Sequence, residues 1–420
     1  MTATSVARRV LVIGAGAVGL SAAIQLQRRG FSVALIEESA PGAGASHGNS
    51  GMLVADTAIP TFQPGMIWKV PGWLADPLGP LTVKAGYLPR ALPWLWRYLR
   101  AGTRESVFQA AEALRALHRS TLVGWRDTVG DAAMSRLTHQ HGQAYLWEGR
   151  EAPTARNLED EIRSHLGIDT ELLGPDRIRQ YFPGISHDVS HGLLIPGNGH
   201  TVNPRGLVAA LAETFRMDGD GEFLRERVLR IWREDSHWKV MTNVTNHASD
   251  TVVVAAGAWS GRLLAPLGVA IPLETERGYH AMLRNPSVRL GVPILNKSRY
   301  FGMSSMSEGL RVSGTVEIAG LDASPTLARA KVLAKQARRL FPELTCDEEI
   351  YWMGHRPSIP DGLPAIGEIP RQPGLFACFG HGHTGLTAAP ASGLLLAQLV
   401  AGERPAIDPR AYSPARFGNR

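Results

Sequence analysis

Four apolar residues in a row, Val10 to Ile13, run straight into Gly14-Ala-Gly16-Ala-Val-Gly19. A short unbroken apolar run closed by glycine reads as a buried strand. Leu20 to Arg29 reads as a helix closed by Gly30. Phe31 to Ile36 is a second apolar strand, ending at Glu37. Strand, helix and strand make one β-α-β unit, whose helix carries the chain between parallel strands.

Pro41 to Gly51 is a glycine-rich loop, and Trp68 to Tyr98 is rich in Pro, Trp and Leu. Residues 104–125 predict a single amphipathic helix, with Val107, Ala111, Leu114, Leu117, Thr121 and Trp125 at three- and four-residue spacing. Asn203-Pro-Arg-Gly-Leu opens a helix through Thr214. Val228–Ile231, Trp238–Val244 and Thr251–Ala255 read as strands. Pro272–Leu283 and Ser298–Glu317 alternate like antiparallel strands. Thr326–Leu340 is a helix, and a last helix follows Gly380-His-Gly-His-Thr-Gly385 through Val400. Nucleotide-type and antiparallel-type stretches alternate. The expected architecture is therefore α/β, with two domains that exchange the chain several times. A Rossmann-like dinucleotide-binding domain takes 1–62, 195–270 and 345–420. It interleaves with an α+β substrate domain, built on an antiparallel sheet, from 63–194 and 271–344.

Composition narrows the function classes. The chain has 420 residues and two cysteines, Cys346 and Cys378, too few for a disulfide framework or a cysteine-rich zinc site. They suit a reducing compartment. Arg8 and Arg9 precede the apolar run from Val10, yet glycines at 14, 16 and 19 make a poor signal helix. No run of about 18 clean apolar residues suggests a membrane span. Net charge is +6, from 44 basic and 38 acidic residues. Between Lys69 and Arg104, Lys69, Lys84, Arg90, Arg97, Arg100 and Arg104 face only Asp76, so +5 lies in this one stretch, interleaved with Trp73, Tyr87, Trp94, Trp96 and Tyr98. Two readings stay open for it. It can meet anionic lipid headgroups and a quinone, or it can be a helix covering the substrate domain with its arginines solvated. No reader motif supports nucleic-acid binding. No metal-ligand cluster, Ser-His-Asp order or kinase motif competes.

Gly14, Gly16 and Gly19, with Ala15 and Val18 between them, follow a strand and open a helix. Glu37 comes 23 positions after the first glycine. Such glycines let the backbone approach a pyrophosphate, which meets the free N–H groups of the helix start. Glu37 can accept from both adenosine ribose hydroxyls and disfavours a 2′-phosphate, which leaves FAD or NAD. The loop Gly42 to Gly51 argues for FAD, because its many backbone amides can wrap pyrophosphate and flavin closely.

Together these residues resemble the FAD-dependent D-amino-acid dehydrogenases of the DadA type, within the D-amino-acid oxidase and glycine oxidase superfamily. The likeness covers nearly the whole chain. It rests on the glycine motif with Glu37, Ala45-Ser-His-Gly-Asn49-Ser-Gly51, Val253-Val-Ala-Ala-Gly257-Ala-Trp-Ser260, Arg277-Gly-Tyr279-His280, Gly354-His-Arg356-Pro-Ser-Ile-Pro-Asp361 with Pro364-Ala-Ile-Gly367, and Gly380-His-Gly-His383-Thr-Gly385-Leu-Thr. Proline-rich 71–80 resembles the DadA branch. The resemblance implies a D-amino-acid-oxidase-like fold with non-covalent FAD. Where the sarcosine-oxidase branch has its flavin-bearing cysteine, this chain has Gly354, and neither Cys346 nor Cys378 fits. FAD contacts are expected from Gly14, Ala15, Gly16, Val18, Gly19, Glu37 and Glu38, and from the loop Ser46, His47, Gly48, Asn49, Ser50 and Gly51. Val228, Ala256, Gly257 and Trp259 are expected to contribute, as are Gly382, His383, Thr384, Gly385, Leu386 and Thr387. The last helix would aim its N-terminal dipole at the flavin edge that gains charge on reduction.

The implied reaction moves a hydride from substrate Cα to flavin N5. The imino acid formed hydrolyses to a 2-oxo acid and ammonia. Arg356 matches the family's carboxylate-binding arginine, and a planar bidentate cation suits that task. Tyr279 is a candidate to hydrogen-bond the carboxylate or wall the pocket, and His280 and His47 are further catalytic candidates near the flavin. His383 and Tyr300 are substrate-pocket candidates. Electrons would go to a quinone or another acceptor, in the cytoplasm or at the inner face of its membrane. The rivals are a D-proline or D-hydroxyproline dehydrogenase, a glycine- or sarcosine-type oxidase making peroxide, and a flavin-binding subunit without turnover of its own.

Overall fold

The computed structural model describes residues 8–65, 68, 72, 76, 78–149 and 157–418. Lys69, Trp73 and most of the proline-rich stretch 71–80 lie outside the described residues.

The β-α-β unit forms as its pattern predicts. Arg9–Ile13 pairs in parallel with Ser32–Ile36 on one side and Thr251–Val254 on the other. Glu222–Leu224 adds to one edge of this sheet, and Leu375–Phe379 then Ala365–Glu368 to the other. Only the last pair is antiparallel. Leu11 and Ile13 face a small sheet of Val228–Glu234, His237–Thr242 and Asn246–Ser249, packing with Ile231, Trp238 and Val240. Val10 and Val12 face the opposite layer, the helices Ala17–Gln27, Pro204–Met217 and Gly385–Ala401. Burial on both faces explains why these strands read as unbroken apolar runs.

A second, nine-stranded sheet runs in the order Glu348–Ser358, Glu274–Arg284, Gly309–Ile318, Phe301–Met306, Ile294–Asn296, Gln143–Glu148, Val189–Ile195, Glu171–Leu173, with Leu81–Val83 beside Gly309–Ile318. Its pairs are antiparallel except two, Ile294–Asn296 with Gln143–Glu148 and Leu81–Val83 with Gly309–Ile318. The Ala328–Leu340 helix seals one face through Leu333, Ala334 and Ala337, packed on Tyr279, Ala281 and Phe301. The boundary expected at 344/345 falls too early for this sheet. Glu348–Ser358 pairs residue for residue with Glu274–Arg284 and belongs here, not with the parallel sheet.

The single helix expected over 104–125 is two. Arg104–His118 starts on Thr103, whose hydroxyl oxygen accepts from the Ser106 N–H. Thr121–Leu137 restarts after Arg119 and Ser120. The apolar spacing continues across the joint, so periodicity alone does not register it. In the basic stretch, Leu88–Ala101 is a helix lying on the nine-stranded sheet. Trp94 is buried against Ala91 and Ile318, stacks on Tyr98 at 4.9 Å, and donates from Nε1 to the Ser358 carbonyl at 3.1 Å. The covering role accounts for Trp94 and Tyr98. Leu88, Leu92 and Trp96 remain exposed on the outer side.

Candidate active site

Between the ends of the parallel strands and the uncovered face of the large sheet lies one cavity of about 1740 Å³. It begins at the first glycine turn. Gly14 has φ +107°, and a Cβ there would lie 2.5 Å from the Ala255 carbonyl oxygen. A side chain at Gly19 would strike the Gly14 carbonyl at 1.9 Å. Neither Ala15 nor Gly19 lines the cavity; they form the packed underside of the turn, while Gly14, Gly16 and Val18 face it. Gly16 caps the Ala17–Gln27 helix without a side-chain bond of its own, and the first helical amide, Ala17 N–H, reaches the Ser46 hydroxyl oxygen at 3.4 Å. Glu37 stands where the spacing placed it. Its carboxylate accepts from the Ala15 N–H at 3.0 Å and from the Ser39 N–H and hydroxyl at 3.1 and 2.9 Å. Glu38, Val228, Ala256, Gly257 and Trp259 continue the same wall.

The glycine-rich loop forms the next side, with Ser46, Gly48, Asn49 and Ser50 on the cavity. Gly51 sits behind, where a Cβ would lie 2.4 Å from the Thr201 carbonyl oxygen. Arg311, which lies in none of the recognised motifs, holds the loop from behind. It is 5% exposed, and its Nη1 donates to the carbonyls of His47 at 3.1 Å and Asn49 at 2.6 Å. Burial lowers its pKa only to about 10, so it stays cationic.

Two catalytic candidates fall outside the cavity. His47 points into a minor crevice with Arg205, Glu308 and Arg311. His280 is buried, stacked on Trp352 at 5.0 Å, with Nδ1 3.3 Å from the Gly48 carbonyl. Burial, then the Arg311 charge, drives its pKa to about 3, which makes it a neutral supporting ring. Burial and Arg311 lower His47 in the same sense. Neither histidine lines the main cavity, and His280 meets the loop at the Gly48 carbonyl.

Strand alternation sorts the large sheet. Glu276, Gly278 and His280 share one face of Glu274–Arg284, and their partners across the ladder are Arg356, Gly354 and Trp352. Arg277 and Tyr279 point the other way. Arg277 is fully buried, giving its N–H groups to the carbonyls of Gly320, Ala323 and Ser324. The Tyr279 hydroxyl donates to Glu317 at 2.6 Å and accepts from the Thr326 N–H at 3.0 Å. Tyr279 borders the cavity, but its polar atom is spent inside the wall, which corrects its assignment as a carboxylate donor.

Arg356 does face the cavity. Its guanidinium lies over Gly278, where a Cβ would come within 2.1 Å of Cζ. Nη1 donates to the Thr315 carbonyl at 3.2 Å, and among the described residues Nε and Nη2 have no hydrogen-bond partner. Burial lowers its pKa while Glu276 opposes the shift. Glu276, one residue before the recognised motif, is 6% exposed and accepts from His383 Nε2 at 2.7 Å. Sequence reasoning missed it; two-residue alternation from Gly278 is the signal that could have found it.

Gly382, His383, Thr384, Gly385, Leu386 and Thr387 all line the cavity at the start of the Gly385–Ala401 helix. Thr384 makes no capping bond, so this helix presents open N-terminal amides. Its position is fixed from behind. Pro390 has no N–H for the Leu386 carbonyl, and Trp125 Nε1 supplies one at 3.0 Å. The Thr121 hydroxyl bonds the next carbonyl, that of Thr387, at 2.6 Å. At the far end, Tyr300 lines the cavity 40% exposed, near Lys297, whose Nζ is 2.7 Å from Glu159. The Cys378 thiol also borders the cavity, and burial raises its pKa, which keeps it protonated and unreactive.

A glycine cradle, an acid at the ribose position and two helix starts along one cavity fit a dinucleotide with a charged central pyrophosphate. The class is therefore that of oxidoreductases holding such a cofactor beside a substrate pocket. More narrowly, the chain belongs to the family described as DAO, FAD dependent oxidoreductase, whose model matches residues 9–399. FAD is its cofactor. It is 38% identical over 422 residues to the D-amino-acid oxidase of Bradyrhizobium diazoefficiens, covering 98% of this chain and 99% of that one. It is 29% identical to a D-amino acid dehydrogenase of Xanthobacter autotrophicus, covering 97% and 99%. In fold it matches a glycine oxidase from Geobacillus kaustophilus, with TM-score 0.73, 24% identity and coverage of 98% and 100%. No helix among the described residues is long and apolar enough to cross a membrane.

Proposed function

We propose that this enzyme oxidises D-amino acids at Cα, giving an imino acid that water converts to a 2-oxo acid and ammonia. The observation that carries the reading is Arg356, a guanidinium facing the cavity with Nε and Nη2 open among the described residues. That is the geometry a carboxylate needs for a two-point, charge-assisted clasp. FAD, when bound, accepts the hydride; the chain's own residues position, shield and polarise. Gly14, Gly16, Glu37 and the loop 46–51 would hold the nucleotide and flavin without a covalent link. The open amides of Gly385–Ala401 would face the flavin edge that becomes negative on reduction. Arg356 would fix the carboxylate, and so direct Cα, with Tyr300 and His383 completing the pocket. Electrons then pass to a quinone or another acceptor. Leu88, Leu92 and Trp96, beside Arg90, Arg97 and Arg100, are the surface that would meet a membrane-held acceptor.

The 38% identity to a named oxidase favours a second reading, in which dioxygen is the acceptor and peroxide the product. Anaerobic flavin bleaching by a panel of D- and L-amino acids and cyclic imino acids, followed by air or a quinone, tests both. Bleaching by D-isomers supports the first proposal, and stoichiometric peroxide on aeration assigns the acceptor to dioxygen. No bleaching by any amine contradicts the proposed reaction.

A further inference from the structure

We propose that Glu276 and His383 form the group that receives the substrate's amino end and takes its proton before oxidation. This rests on the amino-acid reading above. Three observations place the pair. Glu276 and Arg356 are directly opposite on neighbouring strands and share the cavity face. Among the described residues, Arg356 forms no ion pair with Glu276 and gives its one hydrogen bond to the Thr315 carbonyl. The nearly buried Glu276 instead binds His383 Nε2 at 2.7 Å, and the half-exposed His383 ring lines the cavity.

A carboxylate buried beside a carboxylate-binding guanidinium needs a reason, since it competes for the same cation. An α-amino acid supplies one. Its carboxylate and its ammonium lie on adjacent atoms, so a cation beside an acid–imidazole pair matches both ends. The Glu276 bond makes Nε2 the protonated ring nitrogen and leaves Nδ1 basic. Nδ1 has no hydrogen-bond partner among the described residues.

The step balances simply. One ammonium N–H bond breaks, and its electron pair stays on the substrate nitrogen. The proton forms a new bond at Nδ1, and the resulting imidazolium charge sits against the Glu276 carboxylate. No oxidation occurs here. The freed lone pair then forms the C=N bond as Cα gives up its hydride. The charged and titratable groups facing the pair are Arg356 from Glu348–Ser358, Glu274 on the same strand, and Tyr98 from Leu88–Ala101. Burial works to raise the Glu276 pKa, while the hydrogen bond from His383 and the charge of Arg356 lower it, so Glu276 is held ionised and can balance the imidazolium once it forms.

The test compares FAD-loaded wild type with His383→Asn, His383→Gln and Glu276→Gln. Two quantities are read: the rate of anaerobic flavin reduction by a D-amino acid against pH, and the affinity for a carboxylate that lacks an amine, such as a 2-oxo acid. We expect reduction at neutral pH to fall roughly 100-fold in the His383 variants. The loss should shrink as pH rises and free amine accumulates, with affinity for the amine-free carboxylate unchanged. Equal reduction rates, a loss independent of pH, or parallel weakening of the amine-free carboxylate would overturn the pair's role. A wild type that no amine bleaches would overturn the functional reading itself; a wild type that bleaches beside equally fast variants overturns the pair alone.

Discussion

In the proposed clasp, Arg356 would work through geometry as much as charge. Its guanidinium lies flat on Gly278 because no side chain stands there, and any Cβ would overlap Cζ. Gly278→Ala should therefore displace the guanidinium without touching its charge. We expect KM for a carboxylate substrate to rise at least tenfold, with the flavin spectrum unchanged. An unaltered KM would show that the clasp does not depend on this contact. Arg356→Lys keeps the charge but loses the planar fork. We expect it to cost about 3 kcal/mol in kcat/KM, roughly 100-fold. The place of Arg356 on the cavity was legible in the sequence because it sits inside a motif. Glu276 and Arg311 were not, because their roles come from residues far along the chain, His383 and the carbonyls of His47 and Asn49. Tyr279 and His280 were misread for a related reason. Alternation turns Tyr279 inward to Glu317, and His280, on the same face as Glu276, is covered by the Trp352 ring stacked on it.

Among the elements, the Gly385–Ala401 helix matters most, since its uncapped start faces the cavity. Pro390 takes a donor away from its first turn, and the fully buried Trp125 restores it from a neighbouring helix. Gly124 lets that helix come close, because a Cβ there would lie 2.7 Å from the Pro390 Cβ. Trp125→Phe leaves the Leu386 carbonyl unpaired in the core. We expect a loss of about 1–3 kcal/mol in a denaturant titration, together with weaker FAD retention on dialysis. Normal stability with unchanged FAD retention would contradict this support. The sequence showed Trp125 only as an apolar position in one long helix. The break at Arg119 and Ser120, which re-aims it, leaves the apolar period intact and was not visible there.

At the scale of the molecule, four imidazoles on different elements are buried, His118, His200, His280 and His381. Burial lowers the pKa of His118 and His200 to about 4 and of His280 and His381 to about 3. An unfolded histidine titrates near 6.5, so below that pH the unfolded chain binds more protons than the folded one. Stability is full above about pH 6.5 and is lost progressively as pH falls toward 4 and 3. Thermal melts of the holoenzyme should show a falling Tm over that window, and a Tm that rises on acidification would contradict the burial of these rings. The alternation of chain segments between the two sheets was legible from strand patterns. The allegiance of Glu348–Ser358 was not, since its pairing with Glu274–Arg284 is non-local. The proposed reaction brings FAD, Arg356 and an amino acid together in one cavity. The most direct measurement is the anaerobic flavin spectrum on adding D- and L-isomers of the same amino acids to wild type and Arg356→Ala. We expect bleaching by D-isomers in wild type, with a much higher half-saturating concentration in the variant. Equal half-saturation in both proteins, or no bleaching by any amino acid, would contradict it.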